Sequence, residues 1–202
     1  MNKLVVGLTG RSGSGKSTYV RTILDYFGPR MVCLLTMDDY YKSRKKQQID
    51  HLGYYNFDLP TSFKRKRFGR DLERLIQGKS VEIKEYVFNN EKGRQIKLIE
   101  SAPIILVEGL FIFHYSEINR QLDLKILLDP GYKKCFNRRI HRDLHERNYS
   151  KTEIRHRYRN HAEKAYKEYI KPYKTSMDLI LKNKKNVKAD KSELILKIAS
   201  LI

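Results

Sequence analysis

Short apolar runs alternate along the chain with longer stretches in which apolar positions recur every three or four residues. Residues 4–8, 31–35, 104–107, 124–128 and 179–181 are apolar runs of strand length. Runs of that kind, without polar alternation, fit strands covered on both faces. Between them, Tyr19, Val20, Ile23, Leu24 and Phe27 keep helical spacing until Gly28-Pro29 breaks it. Phe68, Leu72, Leu75 and Ile76 mark an amphipathic helix over 61–77, closed by Gly78. Tyr132, Phe136, Ile140 and Leu144 form an apolar stripe on a helix opened by Pro130-Gly131. Ser150 and Glu153 have capping-box spacing and start a long helix that reaches residue 171, where Pro172 ends it. Asp190 and Glu193 open a last helix with Leu194, Ile198 and Leu201 on one face. Residues 81–88 and 94–99 flank the polar turn 89–93 and predict an antiparallel hairpin, while 42–60 carry no period and read as irregular.

Strands alternating with helices predict a three-layer α/β fold with a mostly parallel sheet, into which the hairpin is an insertion. At 202 residues one domain suffices. No apolar stretch approaches the ~20 residues of a membrane helix, and the N-terminus leads straight into a strand without a signal-peptide layout. Cys33 and Cys135 have neither disulfide-framework nor metal-ligand spacing. These features together point to a reducing cytoplasm and no membrane.

The first strand runs into Gly10-Arg11-Ser12-Gly13-Ser14-Gly15-Lys16-Ser17, followed by Thr18 and a helix. This is the G-x-x-x-x-G-K-[ST] phosphate-binding loop in its required strand–loop–helix setting. The glycines let backbone N–H groups turn toward phosphate oxygens. Lys16 reaches the outer phosphates, and the Ser17 hydroxyl can hold Mg²⁺. The motif implies a nucleoside triphosphate, with residues 10–18 as its cradle.

Two acids stand at the carboxyl ends of predicted strands, where such sheets collect ligands. Asp38, beside Asp39 and two tyrosines, is placed to orient an acceptor hydroxyl and take its proton. A turn or helix-cap role is the alternative. Glu108 ends an apolar strand, where a buried acid needs a partner; a hydrated Mg²⁺ or an ion pair would serve. Arg138, Arg139, Arg142 and Arg147 form a dense set suited to phosphoryl oxygens. The Tyr132–Leu144 stripe is expected to hold their helix down and leave the arginines facing a cleft. No N-K-x-D segment marks a GTPase; the nearest run is Asn183-Lys184-Lys185-Asn186. The histidines (His51, His114, His141, His145, His156, His161) show no metal pattern and are read as non-ligands.

A net charge of +19 would draw nucleic acid, anionic membranes or phosphorylated small molecules. The basic clusters at 42–46, 64–70 and 182–191 are short and lack interleaved aromatics, so a solvated basic surface is the first reading and nucleic-acid binding the last.

Taken in order, several segments resemble the phosphoribulokinase and uridine kinase group of P-loop kinases. They are the loop 10–17, Met37-Asp38-Asp39-Tyr40-Tyr41, Tyr55-Asn56-Phe57-Asp58-Leu59-Pro60, Val107-Glu108-Gly109, Arg138-Arg139 with Arg142-Asp143 and Glu146-Arg147, Lys171-Pro172 and Asp178-Leu179-Ile180. The resemblance implies a three-layer P-loop kinase fold with a small antiparallel hairpin (about 80–100) and a helical arginine lid (about 131–171). It implies transfer of the γ-phosphoryl of ATP or GTP, with Mg²⁺, to a nucleoside 5′-hydroxyl, most simply uridine or cytidine, in a homo-oligomer. Another small hydroxyl acceptor (nicotinamide riboside, a sugar phosphate, pantothenate) is the alternative. Asp38 falls at the family's catalytic carboxylate and near its metal. Asp58, Tyr41 and Tyr86 fall among substrate positions, Glu108 at the acid near Mg²⁺, and Arg139, Arg142 and Arg147 among lid and substrate arginines. The hairpin departs from the family: Val87 replaces an aspartate, and Glu91 stands at a histidine position.

Overall fold

The computed structural model describes residues 3–88, 95–147, 149–183 and 187–202. Five parallel strands form the central sheet: β1 (Leu4–Gly10), β2 (Val32–Thr36), β7 (Ile104–Glu108), β8 (Leu124–Leu128) and β9 (Leu179–Leu181), in the order β2-β7-β1-β8-β9. β1 lies centrally, pairing Val6 with Leu106 of β7 and with Leu124 of β8. The absence of polar alternation in these strands has its cause here. Val6, Leu8, Leu106 and Ile126 face a core with α1 (Lys16–Phe27) and α7 (Val187–Ala199), whereas Val5, Ile105 and Val107 face a second core on the opposite side. The second core includes Phe68, Leu72 and Leu75 of α2 (Arg65–Ile76). Helices therefore cover both faces, as the alternation predicts.

The fold departs from the sequence reading in several places. Residues 42–60 contain a short antiparallel ribbon, β3 (Gln48–Ile49) with β4 (Tyr55–Asn56). The helix expected from residue 61 begins at Arg65, because Lys42 and Lys64 bond the Ser62 and Tyr40 carbonyls and hold Phe63 extended beside Tyr41. Among the described residues the hairpin ladder pairs β5 (Val81–Lys84) with β6 (Ile96–Ile99), and Tyr86 and Phe88 pack into the aromatic cluster around Tyr41. Its turn at 89–93, with Glu91, lies outside the described residues. A one-turn helix α3 (Ser116–Asn119) leads into β8.

The long helix from residue 151 starts as predicted, the Ser150 hydroxyl accepting from the Glu153 amide. It then changes pitch: α5 (Lys151–Arg157) passes through a π-helical turn, Tyr158–Ala162, a short α6 (Glu163–Ala165) and a second π turn, Tyr166–Ile170. It ends at Ile170, one residue short of the predicted end at 171, and a separate 3₁₀ stretch, Lys171–Ser176, carries Pro172 in its first turn. In α7 the buried face is Leu194, Ile195 and Ile198, and Leu201 is exposed.

Candidate active site

The P-loop joins β1 to α1. Gly13 and Gly15 have φ of +81° and +97°, which an L side chain rarely adopts. A Cβ on Gly13 would also lie 2.4 Å from the Cys135 carbonyl oxygen, because α4 (Tyr132–Glu146) packs directly against the loop. Gly15 caps α1 with its backbone alone, and no acid stands in the first turn. The positive end of α1 therefore stays open to an anion. Lys16 Nζ lies 3.3 and 3.5 Å from the Gly10 and Arg11 carbonyls and 3.8 Å from Glu108 Oε1. Ser17 and Glu108, with Thr36 and Asp38, line a cavity of about 450 Å³ beside the loop. Thr18 is exposed, its amide bonded to the Gly15 carbonyl.

Glu108 accepts a hydrogen bond from Thr36 Oγ1 at 2.9 Å. Burial pushes its carboxyl up to about 7; Lys16 pulls it back and Asp38 pushes it further. An acid in that condition gains from a nearby cation.

Arg11 does not point its guanidinium at the loop's centre. It pairs with Glu163, lies 3.9 Å from Asp129, and sits over the Tyr166 ring at 3.3 Å. Only its backbone shapes the cradle, its carbonyl accepting from the Ser14 amide.

The arginine helix corrects a second expectation. Its deepest residues are Cys135, Arg139 and Asp143, whereas the apolar stripe is only half-buried. Tyr132 and Phe136 of that stripe pack on Tyr158. Polar contacts do the rest: Arg138 Nη1 donates to the Ser14 carbonyl at 2.9 Å, and Arg139 Nη1 donates to Ser12 Oγ.

Asp143 is the hub of the arginine set. Arg139 bonds its Oδ2, Arg142 Nε donates to Oδ1 at 2.9 Å, and Arg147 Nη1 lies 3.6 Å from Oδ1. Burial alone would raise this carboxyl, but the three arginines outweigh it and hold it below the usual range. Burial also opposes the charge on Arg139; Asp58, at 3.7 Å, and Asp143 more than restore it. Arg147 is the exception: burial, Arg142 and Arg139 lower its pKa.

Opposite these arginines stands an aromatic wall. Tyr41 lies 5.6, 5.2 and 5.2 Å, centroid to centroid, from Phe57, Tyr86 and Phe88. Arg147 sits over the Phe88 ring at 4.0 Å. Asp39 belongs to this scaffold, its Oδ1 accepting from the Tyr86 amide at 3.2 Å. Asp38, one residue earlier, is exposed on the 3₁₀ turn that follows β2. One cavity of about 60 Å³ brings together Lys16, Asp38, Tyr41, Asp58 and Arg139, Arg142 and Arg147. Residues spread from 16 to 147 thus line one cavity, a phosphate-loop lysine and Asp58 among them.

The profile of the phosphoribulokinase and uridine kinase family fits residues 5–190. The chain belongs to the phosphoribulokinase and uridine kinase family. Among curated relatives in this family, a uridine kinase of Borrelia duttonii is 34% identical over 179 residues, covering 88% of this chain and 85% of that one. Uridine-cytidine kinase B of Dictyostelium discoideum is 28% identical and covers 88% and 73%. Among solved structures, a possible uridine kinase from Bacillus stearothermophilus superposes with a TM-score of 0.66 at 18% identity, covering 90% and 89%. The last likeness bears on the fold alone.

Sequence reasoning gave no role to Asp143, Asn183 or Phe88. The first had a local signal, since acids and arginines at i,i+4 share a helix face and Arg139, Asp143 and Arg147 follow that spacing. Asn183 is buried and donates from Nδ2 to the Ser14 carbonyl at 2.9 Å, a contact 169 positions away that no local pattern announces. Among the described residues, no helix is long and apolar enough to cross a membrane.

Proposed function

We propose that the chain transfers the γ-phosphoryl of ATP or GTP to the 5′-hydroxyl of a nucleoside, uridine or cytidine before others. The observation that carries this reading is the single cavity lined by Lys16, Asp38, Asp58 and the arginines of α4. The relatives named above supply the acceptor class.

In this reading the backbone amides of residues 10–18 and the N-terminus of α1 hold the triphosphate tail. Lys16 and Arg139 place positive charge where the phosphoryl moves. Asp38 orients the acceptor hydroxyl and removes its proton as the new oxygen–phosphorus bond forms. Asp58 takes the ribose hydroxyls, and Tyr41, Tyr86 and Phe88 pack against the base. Ser17, Glu108 and Asp38 offer only oxygen donors, which suits a hard cation of the Mg²⁺ type, and the raised Glu108 carboxyl fits a site meant to face one. Bound there, Mg²⁺ would supply neutralisation of phosphate charge.

A nucleoside needs far more room than about 60 Å³, space for about two waters. The arginine lid must therefore open to admit the acceptor and close to exclude water, since an open site would hydrolyse the donor. The same reading carries a cytoplasmic homo-oligomer with no nucleic-acid partner.

The test is an acceptor panel with labelled ATP and Mg²⁺: uridine, cytidine, nicotinamide riboside, a sugar phosphate and pantothenate. Uridine and cytidine should lead in kcat/KM by at least about tenfold, the scale of a misfit as small as one methylene. A sugar phosphate or pantothenate in first place would reject the acceptor while leaving the donor half standing.

A further inference from the structure

A second cluster of chemistry-bearing side chains lies away from the phosphoryl site. Asp50, on the turn between β3 and β4, meets His156 and His161 of the long helix. Both imidazoles reach the same carboxylate oxygen, His156 Nε2 at 2.7 Å and His161 Nε2 at 2.8 Å from Oδ2. The other oxygen, Oδ1, accepts from the Leu52 and Tyr54 amides at 2.9 and 3.0 Å. The turn thus locks the carboxylate and aims one oxygen at the histidines.

Helix pitch makes the convergence possible. In a regular α-helix, residues five apart point about 140° away from one another. Here the π turn Tyr158–Ala162 begins two residues after His156 and includes His161; it widens the pitch and brings positions 156 and 161 onto one face. A π turn gives up favourable hydrogen-bond geometry and recurs where a side-chain constellation requires it. This also explains why the spacing 156–161 looks unlike a metal motif in the sequence.

We propose that Asp50, His156 and His161 form a binding site for a borderline first-row divalent cation, Zn²⁺ foremost. Two imidazole nitrogens and one carboxylate oxygen are the donor set such ions take, with a fourth position left for water. A cavity of about 210 Å³, into which His51 and Asn160 also face, gives that position room. Asn160 completes the arrangement, its amide lying 3.0 Å from His156 Nδ1. With the amide nitrogen toward the ring, Nδ1 accepts and Nε2–H bonds Asp50. With the amide oxygen toward it, Nδ1–H donates and the Nε2 lone pair is free for the cation. Loading the site from neutral histidines is then a tautomer shift and an amide flip with no proton released. Occupancy would pin the β3–β4 ribbon, which leads directly to Asp58, onto the long helix that follows α4.

The test uses the untagged full chain, freed of metal by chelation and titrated with Co²⁺ or Zn²⁺ in excess Mg²⁺, which would compete for the oxygen site proposed at Glu108. One equivalent of Co²⁺ should bind with the visible spectrum of a four- or five-coordinate nitrogen–oxygen site, and Zn²⁺ should displace it and raise the Tm. His156→Gln and Asp50→Asn should each weaken uptake by at least about tenfold; Asp50→Asn keeps the Oδ1 acceptor that the turn requires. Absence of saturable uptake at one equivalent in the wild type, or uptake unchanged in both variants, overturns the proposal. Neither result touches the kinase reading, which the acceptor panel tests separately.

Discussion

The donor and acceptor halves of the site are held together by different physics. The donor half is a continuous stretch, residues 10–18, shaped by backbone: two glycines at positive φ, a bare helix N-terminus, and one lysine folded over its own loop. The acceptor half is a web of charged and aromatic side chains drawn from β4, the hairpin and α4, with Asp143 at its knot. A backbone cradle is stiff and local. A web of arginines around one buried acid is long-range and balanced, so the loss of one member unsettles the others. The stiff half suits a tail common to every donor. The balanced half suits a lid that must open and close.

Substitutions should separate the two halves by what they damage. The largest effect is expected from Lys16→Ala, which removes the lysine that folds back over the loop's own carbonyls. Turnover should fall about 10²- to 10³-fold, with the affinity for ATP also weakened, as read by steady-state kinetics and nucleotide titration. Asp143→Asn comes next. It leaves Arg139, Arg142 and Arg147 around a neutral group, and loss of one partner from a buried ion cluster costs about 3 kcal/mol or more. Its signature should be a lowered Tm together with a raised acceptor KM, while the ATP Kd stays within about twofold, the scatter expected of an uncoupled site. If ATP binding collapsed in that variant, the two halves would not be separable in the way described. Smaller effects come as a matched pair. Arg138→Ala removes a charged donor from the Ser14 carbonyl and should weaken ATP about tenfold, near 1.5 kcal/mol, without changing the acceptor KM. Phe88→Ala should do the reverse, raising the acceptor KM by a similar factor.

The smallest effect is a pH slope in the ligand-free protein. Glu108 has a folded pKa near 7, above its ordinary value of 4.5. A carboxyl raised in this way contributes stability in its neutral form, which is present at low pH and is lost as pH climbs through about 7. Between pH 5 and 8 the wild-type Tm should therefore decline relative to that of Glu108→Gln. Parallel Tm curves for the two proteins would contradict the desolvated state described for Glu108.

The same contrast decides what the sequence disclosed. The P-loop was legible because its chemistry is local: glycine spacing, a lysine and a following helix all sit within one window. Asp38 and Glu108 were legible because strand ends in a parallel sheet are where ligands gather. Asp58 and Tyr86 carry no signal of their own and came from family resemblance alone. Asp143, Asn183 and Phe88 received no role, because their partners lie on other segments or their importance is collective. The apolar stripe of α4 misled for a related reason. A polar hub at 139 and 143 buries more deeply than the hydrophobic positions beside it. Histidines five apart looked unrelated until the helix widened between them.

The account turns on a single carboxylate at the meeting point of the halves, and it is tested most directly by following labelled γ-phosphoryl from ATP to uridine with wild-type protein and Asp38→Asn side by side. The wild type should form UMP in the presence of Mg²⁺, and Asp38→Asn should bind ATP with unchanged affinity yet transfer at least about 10²-fold more slowly. Wild-type turnover in the variant, or no transfer to uridine by either protein, would contradict it.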